Sequence, residues 1–341
     1  MSYPYLLTTM AALFVTLAWT GSWVALPLSR LWPTRRGRRQ PATTRAAAIV
    51  LTPVVLGALA CAAVVVPNII GGCHCPAHGG HHSHLCLVHP GFALPLVGPG
   101  LALLALWLLA AAPRLIGFAR DLYATHRLVR AARRQPARSV AGVPVRVVDW
   151  GMGGAFTIGV LSPVIVMDRR LVETLDEAQL RAIALHEQAH VSRRDGLTMA
   201  MLRLCQSLWP VFGAATGLER WQADVERECD QHAATQLGDS TCVAEALITV
   251  ERLRANQPNR PAAAVPRGAL GIDSAPGIES RVMALLDFEP AAGRPQGLAN
   301  DLFGVLIVAA GLAVLMITWP GDALHHAVEH ALVALTSATQ G

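Results

Sequence analysis

The sequence predicts a mainly α-helical integral membrane protein with four transmembrane helices and a cytoplasmic α+β domain between the third and the fourth. Three observations carry this. Of 341 residues, 53% are hydrophobic and only 15% are charged, against roughly 25% charged in ordinary soluble chains. Charged side chains are absent from residues 1–29, 46–113 and 302–321. The 28 basic residues, all of them arginine, are gathered outside those stretches.

A helix needs about 20 apolar residues to cross the hydrocarbon core. Residues 5–28, 46–70, 92–112 and 302–319 qualify as spans. The first reads as a span rather than a secretory signal, because its basic cluster follows it instead of preceding it. Loop 29–45 carries Arg30, Arg35, Arg36, Arg38, Arg39 and Arg45 with no acid. Loop 71–91 and tail 320–341 carry no arginine, whereas segment 113–301 carries 22. The positive-inside rule then puts loop 29–45 and segment 113–301 in the cytoplasm, with both termini outside a multi-pass plasma-membrane protein. The net charge of +5 resolves accordingly: +6 from the first loop, +1 from the long segment and −2 from the tail. It is a topology signature, so the lipid bilayer is an expected partner and direct nucleic-acid binding is not. The absence of lysine excludes Schiff-base chemistry and the Ser-x-x-Lys acylation motif.

Segment 113–301 is long enough for one domain with its own core. Leu115–Arg134 has helical spacing and is expected to continue from the third span. Val143–Val148 and Val164–Met167 are β-branched runs bounded by Gly, Pro and Asp, which read as strands. A short strand with a glycine turn before it lies within Gly151–Gly159. A helix starts near Asp176, which forms a capping-box pattern with Gln179. The apolar stretch Gly196–Gly213 is expected to be a core helix behind it, with contact to the membrane as the alternative, and Asn256–Pro276 a linker that stays open as a lid or a site of self-cleavage.

The helix that starts near Asp176 contains His186-Glu187-Gln188-Ala189-His190. Residues four apart share a helix face, so both imidazoles can bind one metal ion. Glu187 stands beside them to take a proton from water, and zinc suits such a donor set. A third ligand is expected on a helix over Leu218–Leu237, where Glu226 and Asp230 share a face. Glu226 can complete the site and Asp230 can orient a histidine. Asp224, Glu228, Cys229 and His232 compete for these roles.

At this point the chain resembles the BlaR/MecR family of membrane-embedded zinc metallopeptidases. The resemblance is carried by Ala155-Phe-Thr-Ile-Gly159, Ser162-Pro-Val-Ile-Val166, Leu185–Asp195, Glu226-Arg-Glu-Cys-Asp230 and the order of three spans, protease domain and fourth span. It implies a zincin-like (gluzincin) fold and one catalytic Zn2+ held by His186, His190 and Glu226. It also implies Glu187 as general base, and Asp230 and Asp195 as carboxylates behind the ligand histidines. By the same resemblance, Val164, Ile165 and Val166 lie in the strand against which an extended substrate is laid. The implied activity relays an outside signal by cleaving a cytoplasmic protein, either a DNA-binding repressor of the BlaI/MecI type or the protease itself. Antibiotic-sensing members carry a penicillin-binding domain after the fourth span; this sequence ends about 20 residues beyond it, and β-lactam sensing is not expected.

Outer loop 71–91 holds Cys73, His74, Cys75 and Cys86, and six of the 13 histidines. A second metal, copper(I) or zinc, is one expectation for this loop. A disulfide is the other. Cys61, Cys205, Cys229 and Cys242 are read as reduced and structural. Two further functions stay open: a housekeeping protease of the HtpX or prenyl-protein-processing type, and a non-catalytic metal-responsive receptor. Assembly into a homo-oligomer also stays open.

Overall fold

The computed structural model describes residues 11–12, 14–16, 18–19, 94–149, 154–209, 214–255, 270–271 and 277–288. The expected spans at 46–70 and 302–319, most of the span at 5–28, both short loops and the outer tail lie outside them. So do Cys73, His74, Cys75 and Cys86 of the outer loop.

The described residues are mostly helical with one small sheet. The first complete element, α1 (Leu94–Arg133), is 40 residues long, roughly 60 Å at 1.5 Å per residue. Its stretch Leu101–Arg133 is long and apolar enough to cross a membrane, the one such helix among the described residues. Leu101, Leu106, Leu108 and Leu109 on it are exposed. The chain does not break between the apolar half and the arginine-bearing half. Pro113 lies between the two halves and does not end the helix.

Next come β1 (Ala137–Val140), β2 (Val143–Val148), β3 (Ala155–Ile158) and β4 (Val164–Asp168). Then follow α2 (Arg169–Thr174), α3 (Glu177–Arg193), α4 (Asp195–Leu208), α5 (Ala214–Leu237), α6 (Ser240–Ala255), β5 (Leu270–Gly271) and α7 (Ile278–Leu286). The sheet order is β1-β2-β4-β3-β5. β2 runs parallel to β4, and the other pairings are antiparallel. Neither β1 nor β5 was expected. β1 is polar and exposed, so it lacks an alternating apolar signal, and β5 is two residues inside the expected linker.

Strand alternation divides the sheet between two cores. Val143, Val145, Ile165, Met167 and Ala155 pack with α3, α5, α6 and α7. Val148, Phe156, Ile158 and Val166 point the other way, onto Val129 and Ala132 of α1. Helix α4 buries Met199 and Leu202 against Trp221, Val225 and Cys229 of α5. Its far end also touches the apolar half of α1: Trp107 Nε1 donates to the Leu208 carbonyl at 2.7 Å, and Trp209 packs beside Val15 and Ala18.

One expectation about the sheet needs correction. Val164, Ile165 and Val166 lie in β4, which is paired with β2 on one side and β3 on the other. Both its edges are taken, so no extended peptide can add to it. The strand that bonds to α3 through a side chain is β3, from Thr157.

Candidate metal centre

Helix α3 starts where Asp176 accepts a hydrogen bond from the Gln179 amide at 2.8 Å, a side-chain cap for an otherwise orphaned N–H. Seventeen residues follow. They bring His186, Glu187 and His190 into the interior, where all three are buried. The helix ends in Arg194, whose left-handed φ of 55° lets its N–H return to the carbonyls of His190 and Val191. The next helix begins at once with Asp195. This sharp turn folds the Asp195 carboxylate back onto His190 Nδ1, at 2.9 Å.

Helix α5 lies across α3 and supplies Glu226 and Asp230, both buried. Their four-residue spacing puts them on one face. Glu226 reaches both histidines: Oε2 is 3.4 Å from His186 Nε2 and Oε1 is 3.5 Å from His190 Nε2. Asp230 Oδ1 is 2.9 Å from His186 Nδ1. Each histidine therefore has a carboxylate at Nδ1, which directs Nε2 toward Glu226. Neither Nε2 atom has a hydrogen-bond partner, nor does Glu187 Oε1. Buried polar atoms are rarely left so.

The fit to a metal ion follows from these atoms. His186, His190 and Glu226 each offer one ligand atom, all within 4.8 Å of one another. Two imidazole nitrogens and one carboxylate oxygen suit zinc. A second group, His190, Asp195 and Cys229, meets the same distance test. It meets on the other side of the same ring, with Cys229 Sγ 3.4 Å from Nδ1. That nitrogen is already held by Asp195, and burial pushes the Cys229 thiol well above its ordinary pKa. The group reads as the backing of His190 rather than a separate ion site.

The rival residues on α5 point elsewhere. Glu228 pairs with Arg193, Asp224 pairs with Arg227, and His232 is exposed.

Burial by itself lowers the pKa of His186, but the carboxylates of Asp230 and Glu226 outweigh it and raise it to about 10. Burial raises Glu187 above the usual carboxylate range, against the opposing pull of the two histidines and Thr157. Burial would raise Glu226 and Asp230 too. Both are instead held low by the Arg281 guanidinium and the neighbouring histidines.

Two contributors carried no expected role. Thr157 of β3 donates to Glu187 Oε2 at 2.8 Å. Arg281 of α7 donates to both oxygens of Asp230, at 2.7 and 2.6 Å. Thr157 lies within Ala155-Phe-Thr-Ile-Gly159, and alternation along β3 turns it toward α3. Arg281 has a fainter signal: it shares a helix face with apolar Leu285, and both are buried.

Among comparisons with known proteins, the family model described as Peptidase family M48 matches residues 125–288, just under half of the chain. The matched region begins in the second half of α1 and ends after α7, so it takes in the sheet and every residue of the site. The match supports a metallopeptidase reading of this segment. No curated protein matches the chain significantly.

Proposed function

We propose, on the premise that residues 125–288 form a metallopeptidase domain, that the protein is a membrane-embedded zinc endopeptidase that cleaves a cytoplasmic protein. The observation that carries this reading is the meeting of His186, His190 and Glu226 around two unpartnered Nε2 atoms, with Glu187 alongside. Its membrane setting is supported by the exposed apolar half of α1.

His186, His190 and Glu226 would hold the zinc ion, which supplies Lewis acidity toward water and the peptide carbonyl. Asp195 hydrogen-bonds His190 Nδ1, and Asp230 Oδ1 stands 2.9 Å from His186 Nδ1, so a carboxylate backs each ring on the side away from Nε2. Glu187 is the general base. Thr157 holds its Oε2, which leaves Oε1 to take a proton from the attacking water and return it to the departing amide nitrogen. Burial keeps bulk water from competing for that proton.

The substrate is a protein strand laid along β3 in the place of β5, the two-residue strand that pairs with that edge. Within the signalling reading it is a DNA-binding repressor, and the outside signal is a metal caught by Cys73, His74, Cys75 and Cys86. The chain's own linker is a second substrate. What supports this is β5, which pairs Leu270 with Thr157 and Gly271 with Phe156, beside the residue that holds Glu187. A housekeeping role of the HtpX type uses the same site and differs in substrate alone.

The test is cleavage by the full chain in detergent, loaded with zinc, with intact mass read for both chain and added substrate. Glu187→Ala should keep zinc and lose cleavage by about 10²–10⁴-fold. His190→Ala should lose both. Normal cleavage by Glu187→Ala would defeat the assignment. A zinc content unchanged in His190→Ala would move the ion elsewhere.

A further inference from the structure

We infer that Arg281 is a positioning residue for the metal centre: it sets the two carboxylates that hold the ion and orient His186. The inference rests on the zinc-site reading above and deepens it.

The geometry is that of a fork. Arg281 Nε lies 2.7 Å from Asp230 Oδ2 and Nη2 lies 2.6 Å from Oδ1, two parallel bonds to one carboxylate. The remaining nitrogen, Nη1, lies 3.1 Å from Glu226 Oε2. Every guanidinium nitrogen therefore faces a carboxylate oxygen of the site. Arg281 comes from a different helix, 51 residues beyond Asp230 in sequence. Asp230 Oδ1 is shared, since it also faces His186 Nδ1 at 2.9 Å. Fixing the plane of the Asp230 carboxylate thus fixes the rotation of the His186 ring, and with it the direction of Nε2.

Charge explains why a cation is required there, and geometry why it is an arginine. Glu226 and Asp230 are like charges on one helix face, both buried. A buried carboxylate without a partner costs several kcal/mol. Arg281 is the guanidinium within reach of both, with Nη1 3.1 Å from Glu226 and Nη2 2.6 Å from Asp230. A lysine in place of Arg281 would balance charge equally well. It could not span both carboxylates, because an ammonium is a point and not a planar fork.

The experiment measures the zinc dissociation constant of the full chain in detergent, with zinc alone as probe, by competition with a coloured chelator. Arg281→Gln should weaken zinc binding about 10–100-fold, and Arg281→Lys should fall between it and the parent. The double variant Asp230→Asn/Arg281→Gln should bind no more weakly than the weaker single variant, because the two residues act as one unit. Leu285→Ala, one turn along the same buried face, should lower the Tm with zinc affinity unchanged. Parent-like affinity in Arg281→Gln, losses that multiply in the double variant, or an equal loss in Leu285→Ala would each overturn the inference. Where Arg281→Gln gives no folded protein, Arg281→Lys decides: several-fold weaker binding supports the inference and parent-like binding ends it. A parent chain that binds no zinc would overturn the site reading instead, which keeps the two failures distinct.

Discussion

The hydroxyl of Thr157 donates to Glu187 Oε2 across 2.8 Å, joining the sheet to the helix that carries both histidines. Thr157 opposes the rise that burial imposes on the Glu187 pKa. Thr157→Val keeps the shape and removes the donor. Glu187 works as a base only when ionised, so a further rise shifts the acid limb of the activity profile to higher pH. We expect kcat to fall about tenfold near neutrality, as about 1.4 kcal/mol of lost interaction would give, with zinc content unchanged. A kcat–pH profile of the variant checks this; a limb that stays put or moves to lower pH would contradict the role given to Thr157.

Asp195→Asn should weaken zinc binding about 10–100-fold. The amide can present its NH2 to His190 Nδ1, which then turns acceptor and moves the ring proton to Nε2. Metal titration of the full chain reads the effect. Asp239→Asn serves as a control, since Asp239 accepts only backbone N–H bonds at the start of α6. Equal affinities for the parent and Asp195→Asn would remove Asp195 from the site.

His186 sets a pH dependence in the metal-free protein. Its folded pKa is raised from 6.5 to about 10. A raised group stabilises fully below its unfolded pKa and loses that stabilisation as pH rises through the folded one. The Tm of the chelator-treated chain should therefore decline between pH 6.5 and 10. The zinc-loaded chain should lack this decline, because the ion takes the neutral imidazole. Thermal unfolding at several pH values, with and without zinc, decides. A flat metal-free profile would be the wrong outcome.

Gly196 opens the first turn of α4 against the turn that leaves β3. A Cβ at Gly196 would meet the Gly159 carbonyl oxygen at 2.5 Å. Backbone on both sides cannot give way cheaply, so Gly196→Ala should destabilise the chain by about 1–3 kcal/mol. It should also weaken zinc binding, since Asp195 is the neighbouring residue. Gly117→Ala, where a Cβ meets nothing within 4 Å, is the control. Similar Tm values for the two variants would disprove the close approach.

The helical part of the site was legible because it is local. His186 and His190, and likewise Glu226 and Asp230, are four apart, and one helical turn brings each pair together. The start of α3 was legible for the same reason, since Asp176 and Gln179 are near neighbours. Contacts made by tertiary closure left little trace. Arg281 comes from a helix far along the chain, and one arginine in a short apolar pattern resembles a solvated residue. The place of β4 inside the sheet was equally hidden. Its β-branched run signals a strand buried on both faces, but the order of strands depends on the parallel pairing of β2 with β4 across an intervening β3. Alternation cannot reveal which strand has the free edge.

Helix α1 has a structural consequence. It runs from its apolar stretch to the sheet as one continuous helix, with Pro113 inside it. Val129 and Ala132 near its end bear on Phe156 and Ile158, the two residues that flank Thr157 in β3. The strand whose Thr157 holds the Glu187 carboxylate is thus seated on the same helix that carries the apolar stretch, with nothing but side-chain packing between them.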